Sequence, residues 1–180
     1  SCGMAIRFSI EDLRPLGRSA RGVNSMKLRS SDEIIGCDVV PRDYDADLLV
    51  ITSDGFGKRS KISEFRTQNR GGMGLIATKF KSSSSRLVDL SIVQEDDEIM
   101  VVTASGVVTR VSAADISRQG RPATGVRVQT LVGDDTVVSV NKIINTDKED
   151  DDKATLVNAA KEELAGVEQG NIFDVSASEE

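Results

Sequence analysis

One spacing of glycine and arginine occurs three times in this chain and limits what it can fold into. Gly3, Arg7, Arg18, Gly22 and Leu28 stand at intervals of 4, 11, 4 and 6 residues. Gly55, Arg59, Arg70, Gly74 and Phe80 repeat those intervals, and Gly106, Arg110, Arg121, Gly125 and Leu131 repeat them again. The periods are 52 and 51 residues. Six places after each first arginine comes an apolar residue preceded by an acid: Leu13 after Asp12, Phe65 after Glu64, Ile116 after Asp115. A period of this length marks a supersecondary unit that buries its apolar face against copies of itself, as propeller blades do.

The segments between the landmarks read as strands. "LLVIT" (48–52), "GLIATKF" (74–80), "RLVDLSIV" (86–93), "EIMVVT" (98–103), "GVRVQTL" (125–131) and "TVVSVNKI" (136–143) are rich in Val, Ile and Thr, which suit a pleated, half-buried surface. Helical periodicity is nearly absent up to residue 144, although "SAADIS" (112–117) predicts one short turn. The expected fold class is therefore all-β. The glycine-rich run "QNRGGMG" (68–74) is one copy of a corner whose other copies read "PLGRSARG" and "RQGRPATG". A phosphate-cradling P-loop is excluded, because neither a Lys-Ser/Thr pair nor a helix follows. Gly74 and its counterparts are expected to supply positive φ or a close backbone approach.

Of the 180 residues, 38% are hydrophobic, enough for a core, yet only 3% are aromatic, and there is no His and no Trp. Cys2 and Cys37 stand alone, which excludes a four-ligand zinc site and fits a reducing compartment. No apolar run approaches the ~18 residues of a membrane span, and the N-terminus lacks a signal-peptide core. The expectation is a cytoplasmic protein. The acidic runs "DYDAD" (43–47) and "QEDDE" (94–98) read as solvated loops between repeats, and no metal site is expected. The net charge of −6 hides a split. Residues 1–144 hold 20 basic and 18 acidic side chains, a balance of +2; residues 145–180 hold 3 and 11, a balance of −8. A mildly basic body with an acidic tail points to a polyanion partner. Within the tail, residues 154–167 could form one amphipathic helix between disordered flanks.

The segments "MAIRFSIEDLRPLGRSARGV", "SDGFGKRSKISEFRTQNRGGMG" and "DDEIMVVTASGVVTRVSAADISRQGRPATGV" resemble successive blades of the C-terminal domain of the DNA gyrase A protein. The resemblance covers residues 1–144. It implies a β-pinwheel, a propeller-like disc of blades with four antiparallel strands, here the last three blades (about 1–41, 42–94 and 95–144, the first incomplete) followed by the acidic tail. It implies a fragment of a larger gyrase A protein that wraps double-stranded DNA. Its implied partners are the remainder of that protein and the gyrase B subunit, two copies of each, in ATP-dependent negative supercoiling. The implied setting is the bacterial cytoplasm, at the chromosome, or a plastid. ATP and magnesium would serve the parent enzyme elsewhere; no cofactor is expected in this chain. The family's signature box reads Q-R-R-G-G-K-G. Gln68, Arg70, Gly71, Gly72 and Gly74 match it, whereas Asn69 and Met73 replace two basic residues, so this copy is degenerate and the wrapping role is not carried onto it.

Wrapping needs cations spaced to meet phosphates and no base code. The corner arginines Arg18, Arg70 and Arg121 are the first expected contacts, with Arg14, Arg21, Lys58, Lys61, Arg66, Arg118 and Arg127 near them. Arg59 and Arg110 are expected either to contact DNA or to pair with acids and carbonyls, and the same alternative applies to Arg7. Scarce aromatics argue against single-strand binding by base stacking. No catalytic residue is expected: there is no His, and the one tyrosine, Tyr44, matches no cleavage motif. Two other readings stand beside this one: the corresponding C-terminal domain of topoisomerase IV, and a propeller-type protein interaction module that binds no nucleic acid.

Overall fold

The computed structural model describes residues 1–29, 31–41 and 44–143. The acidic tail and the helix expected over 154–167 lie outside the described residues. The described part is almost entirely β, with antiparallel sheets and three single 3₁₀ turns. Its strands are β1 (Met4–Ala5), β2 (Asp47–Thr52), β3 (Phe56–Lys61), β4 (Leu75–Ile76), β5 (Leu87–Val93), β6 (Glu98–Thr103), β7 (Val108–Ser112), β8 (Val126–Arg127) and β9 (Val137–Ile143).

The second repeat shows the full plan. β2 carries a continuous apolar run, Leu48 to Ile51, between Asp47 and Thr52, and every residue in it is buried, as a strand sealed on both faces requires. It pairs with β3 on one side, Val50 opposite Lys58, and with β5 on the other, Val50 opposite Leu90. Gly55, at φ 78°, turns the β2–β3 hairpin, and the Thr52 hydroxyl ties the turn by donating to the Phe56 carbonyl at 2.9 Å. The fourth strand comes from the third repeat: β8 pairs with the outer edge of β3, Gly57 opposite Val126. The first repeat borrows a strand in the same way: β4, lent by the second repeat, pairs with β1 in a two-stranded sheet, Ala5 opposite Leu75. The third repeat forms a three-stranded sheet ordered β7-β6-β9. Among the described residues, the outer edge of β7 has no strand beside it.

This lending of strands explains two departures from the sequence expectation. The strands expected over 74–80 and 125–131 shrink to β4 and β8, because each arm meets its neighbour's edge only briefly. The Val128 and Gln129 amides both turn onto one acceptor, the Gly55 carbonyl, and the Ala77 and Thr78 amides both turn onto the Gly3 carbonyl, which ends the ladder. Conversely, β3 reads "FGKRSK", a composition with little strand propensity. Partners on both of its edges impose the conformation, which is how context overrides propensity in sheets.

The turn expected in "SAADIS" is a 3₁₀ turn over Ala113–Asp115, with counterparts at Ile62–Glu64 and Ile10–Asp12. Each places the apolar residue six after an arginine. Phe65 and Ile116 are thereby buried in two apolar clusters. One joins Leu49 and Ile51 of the second repeat to Ile99, Val101 and Ile116 of the third. The other joins Leu48, Ile62, Phe65 and Ala77, with Ala5 of the first repeat packed against them. The core thus lies at the seams, and the repeats depend on one another for burial.

Candidate nucleic-acid interface

The recurrent arginines divide by what they touch. Arg59 is buried. Its Nε donates to the Ile116 carbonyl at 2.8 Å, and its Nη1 donates to the Asp47 carboxylate at 3.1 Å. Arg7 makes the equivalent reach, donating to the carbonyls of Ile62 and Phe65 at 3.3 and 3.5 Å. The first arginine of a repeat therefore clamps the 3₁₀ turn of the next one. Arg110 has no such turn ahead of it among the described residues; it lies exposed and pairs with Glu98. The corner arginines reach backwards. Arg70 donates to the carbonyls of Asp12 and Asn24, both at 3.3 Å, and Arg121 donates to that of Ile76 at 2.9 Å. Arg118 donates to Asp47 at 2.9 Å, so one buried carboxylate holds guanidinium groups from two repeats.

Lys58 is sealed at 0% exposure. Its ammonium donates to the Gly120 carbonyl at 2.7 Å and to that of Arg121. Burial pushes the Lys58 pKa down to about 8, Glu64 pulling it up and Arg121 pushing it further down. Burial and these bonds place Lys58 at the seam between repeats, not at the solvent surface where the sequence expectation put it, and of the two alternatives expected for Arg59 the structure shows the pairing with an acid and a carbonyl. The degenerate box serves the other seam, between the first and second repeats. The Gln68 amide donates to the Arg7 carbonyl, the Gly71 amide to that of Ser25, and the Gly72 carbonyl accepts from Lys27. A Cβ on Gly74 would lie 2.5 Å from the Ala5 carbonyl oxygen, so only glycine fits there.

The cations that face solvent are a different set. Arg14, Arg18, Arg21, Lys61 and Arg66 are exposed, and their side chains have no polar partner among the described residues. Arg127 is also exposed, and here the fold assembles something. Its guanidinium carbon stands 5.2 Å from the centre of the Phe56 ring, and the Lys81 ammonium stands 4.6 Å from the same centre. The ring's negative face attracts both cations, offsetting part of their mutual repulsion. Lys81 in turn lines a groove of about 500 Å³ together with Lys79, Arg29, Ser82 and Ser83, and Arg86 donates to the Ser83 carbonyl at 3.1 Å. Arg29, Lys79, Lys81, Arg86 and Arg127 thus form one basic strip, drawn from all three repeats. An acidic partner to any of the five is absent among the described residues.

Of that strip, sequence reasoning singles out only Arg127. The missed signal lies in the repeat itself. "KLRS" (27–30) and "KFKS" (79–82) flank the last landmark, Leu28 and Phe80, at the same period of 52, whereas the third repeat has "TLVG" there. Reading the residues on either side of the landmark identifies Lys27, Arg29, Lys79 and Lys81 as a recurrent cationic pair.

Comparison with known proteins finds relatives of the chain. A family model described as "DNA gyrase C-terminal domain, beta-propeller" matches residues 1–41, 46–94 and 97–144. The DNA gyrase A protein of Synechocystis is 41% identical over 170 residues, covering 77% of this chain and 20% of that protein. The DNA gyrase A protein of Staphylococcus aureus is 40% identical over 146 residues, covering 81% of this chain and 16% of that protein. The chain therefore spans a fifth or less of the length of these relatives. A solved DNA gyrase A C-terminal domain superposes with a TM-score of 0.69 at 33% identity, covering 79% of this chain and 48% of that one. The C-terminal domain of a DNA topoisomerase IV superposes with a TM-score of 0.74 at 25% identity, covering 88% of this chain and 49% of that one.

Proposed function

Because the chain belongs to the family of β-propeller C-terminal domains of DNA gyrase, we propose that it binds duplex DNA without reading its sequence and bends it along the basic strip, as a non-catalytic part of the A protein of a type II topoisomerase. The observation that carries this reading is the strip from Arg29 through Lys79 and Lys81 to Arg127, in which three repeats present cations side by side. Phosphates along one face of a duplex need such a row. Each cation that neutralises a phosphate releases condensed counterions, which is the source of the affinity. Bending the duplex costs on the order of several kcal/mol, so contacts must accumulate over successive repeats. Arg14, Arg18, Arg21, Lys61 and Arg66 are free to extend the track. Lys58, Arg59 and Arg118 hold the repeats in register behind it, and so do Arg70 and Arg121 through their carbonyl contacts.

In the parent enzyme, the reading assigns this chain to supplying wrapped DNA for ATP-dependent negative supercoiling, in the cytoplasm at the chromosome. Strand cleavage then belongs elsewhere in the gyrase A protein, and ATP hydrolysis to gyrase B. A topoisomerase IV domain is the second reading, favoured by the TM-score of 0.74; the 40% and 41% identities to gyrase A proteins support the first. The test is the triple replacement Lys79→Ala, Lys81→Ala, Arg127→Ala. Duplex binding should weaken, and the slope of log affinity against log salt should flatten by roughly 3, about 0.9 for each lost phosphate contact. An unchanged slope in a folded triple variant would remove the strip from the interface.

A further inference from the structure

At the seam between the second and third repeats, one aromatic ring contacts two of the strip's cations. Phe56 opens β3 and lies directly opposite Arg127 of β8. Side chains paired in this way across two strands are close enough to touch, and the Arg127 guanidinium carbon is 5.2 Å from the centre of the ring. The Lys81 ammonium, brought by the loop between β4 and β5, is 4.6 Å from the same centre. The two charges are therefore closer together than the screening length of about 10 Å at 0.1 M salt, and without the ring they would repel each other into solvent.

The ring itself is held. Phe56 is half-buried, and the Thr52 hydroxyl donates to its carbonyl at 2.9 Å. On one side of it the Gly55 carbonyl accepts from the Val128 and Gln129 amides at 2.9 and 3.1 Å. On the other side Gly57 has no room for a side chain, since a Cβ there would lie 2.9 Å from the Val128 side chain. Lysine and arginine, by contrast, are among the side chains that lose most rotamer freedom when they are ordered.

The other repeats do not carry this combination. Met4 and Val107 hold the place of Phe56, and at the first seam Ile76 holds that of Arg127 and Arg29 that of Lys81. Met4 pairs with Ile76 there, so the same register sets two apolar side chains where the second seam sets a ring and a guanidinium.

We propose that Phe56 is a positioning residue for DNA binding: its ring holds the Lys81 ammonium and the Arg127 guanidinium in place at the strip before the duplex arrives. Ordering interface side chains is one of the costs of association, and a site that has them in place beforehand binds more tightly. The ring carries no charge and neutralises no phosphate. The proposal rests on the reading that duplex DNA binds along this strip. Positioning also has a signature distinct from charge. The slope of log affinity against log salt counts the phosphates neutralised, and removing the ring removes no cation.

Titration of the chain with a duplex at several salt concentrations, using Phe56→Met, tests this; methionine already holds the place in the first repeat. Circular dichroism and thermal unfolding check the fold, and Phe56→Leu replaces the variant if it unfolds. The expected result is a fall in affinity of roughly 5- to 30-fold, the range that two exposed cation–π contacts permit, with the salt slope unchanged. Phe56→Tyr, which keeps the face of the ring, should recover most of that loss. In a Lys81→Ala, Arg127→Ala background Phe56→Met should have no further effect, whereas a general loosening of the seam would weaken binding there too. Unchanged affinity in Phe56→Met, a flattened slope, a Phe56→Tyr variant as weak as Phe56→Met, or a loss that persists in the double-alanine background would each overturn the positioning role and leave the DNA reading standing. A native chain without salt-dependent duplex binding would overturn that reading and the proposal together.

Discussion

Arg59 and Asp47 form an ion pair at 3.1 Å in which both side chains are only 4% exposed. The same pair, again 12 residues apart, recurs on the surface as Arg110 and Glu98. The chemistry is identical and the surroundings differ, because a further repeat covers only the first pair. Removing one partner of a buried pair leaves an uncompensated charge inside the protein, whereas an exposed pair is screened by water. Asp47→Ala should therefore destabilise the protein by about 3–5 kcal/mol, and Glu98→Ala by about 1 kcal/mol or less. Urea unfolding of the two variants gives the comparison; equal losses would mean that the Asp47 pair is not sealed.

These two pairs also mark how far the sequence could be read. The period places Arg7, Arg59 and Arg110 in equivalent positions, and their geometry within a repeat follows from that. Burial does not follow, because it depends on whether a neighbouring repeat lies ahead, and no local pattern records this. The strands β2, β5, β6 and β9 are legible because apolar and β-branched residues dominate them. β3 is not, because its glycine, lysine and arginine take strand geometry only from pairing on both edges. Lys58 shows the same limit at the candidate interface. A lysine in a polar hexapeptide reads as exposed, yet two carbonyls of the next repeat draw its ammonium inside.

Gly74 and Gly22 share a left-handed backbone, φ 74° and 79°, and differ only in what surrounds them. Gly22→Ala should cost the conformational penalty alone, roughly 1–2 kcal/mol. Gly74→Ala adds a Cβ 2.5 Å from the Ala5 carbonyl and should cost distinctly more, opening the seam between the first two repeats. Thermal unfolding ranks the two, and hydrogen exchange at the Ala77 amide, which is bonded to the Gly3 carbonyl, should quicken only in Gly74→Ala. Equal costs would remove the close approach as the reason for this glycine.

Lys58 gives the protein a pH dependence of definite sign. Its pKa is about 8 in the folded protein, against an ordinary value of 10.5. Between those values the unfolded chain binds the extra proton, so stability from this group rises with pH across the window and is level below it. The rise should be on the order of 1–3 kcal/mol. Subtracting the stability curve of a Lys58→Met variant isolates it from other titrating groups. A difference curve that is flat, or that falls, from pH 8 to 10.5 contradicts the buried, desolvated lysine.

The −8 of residues 145–180 against the +2 of residues 1–144 predicts competition between the tail and DNA for the same cations. A tether keeps the tail's effective concentration near the millimolar range, while screening shortens its reach to about 10 Å at 0.1 M salt. Deleting residues 145–180 should raise duplex affinity at low salt, with the gain fading as salt increases. Equal affinities at low salt would leave the tail a role in solubility alone.

The central claim is that the body holds duplex DNA through its exposed cations and reads no sequence. The most direct test titrates the chain with two duplexes of unrelated sequence at several salt concentrations. The predicted result is one shared line of log affinity against log salt, falling by roughly 0.9 for each phosphate engaged. Affinity that is independent of salt, or that differs strongly between the two duplexes, would contradict it.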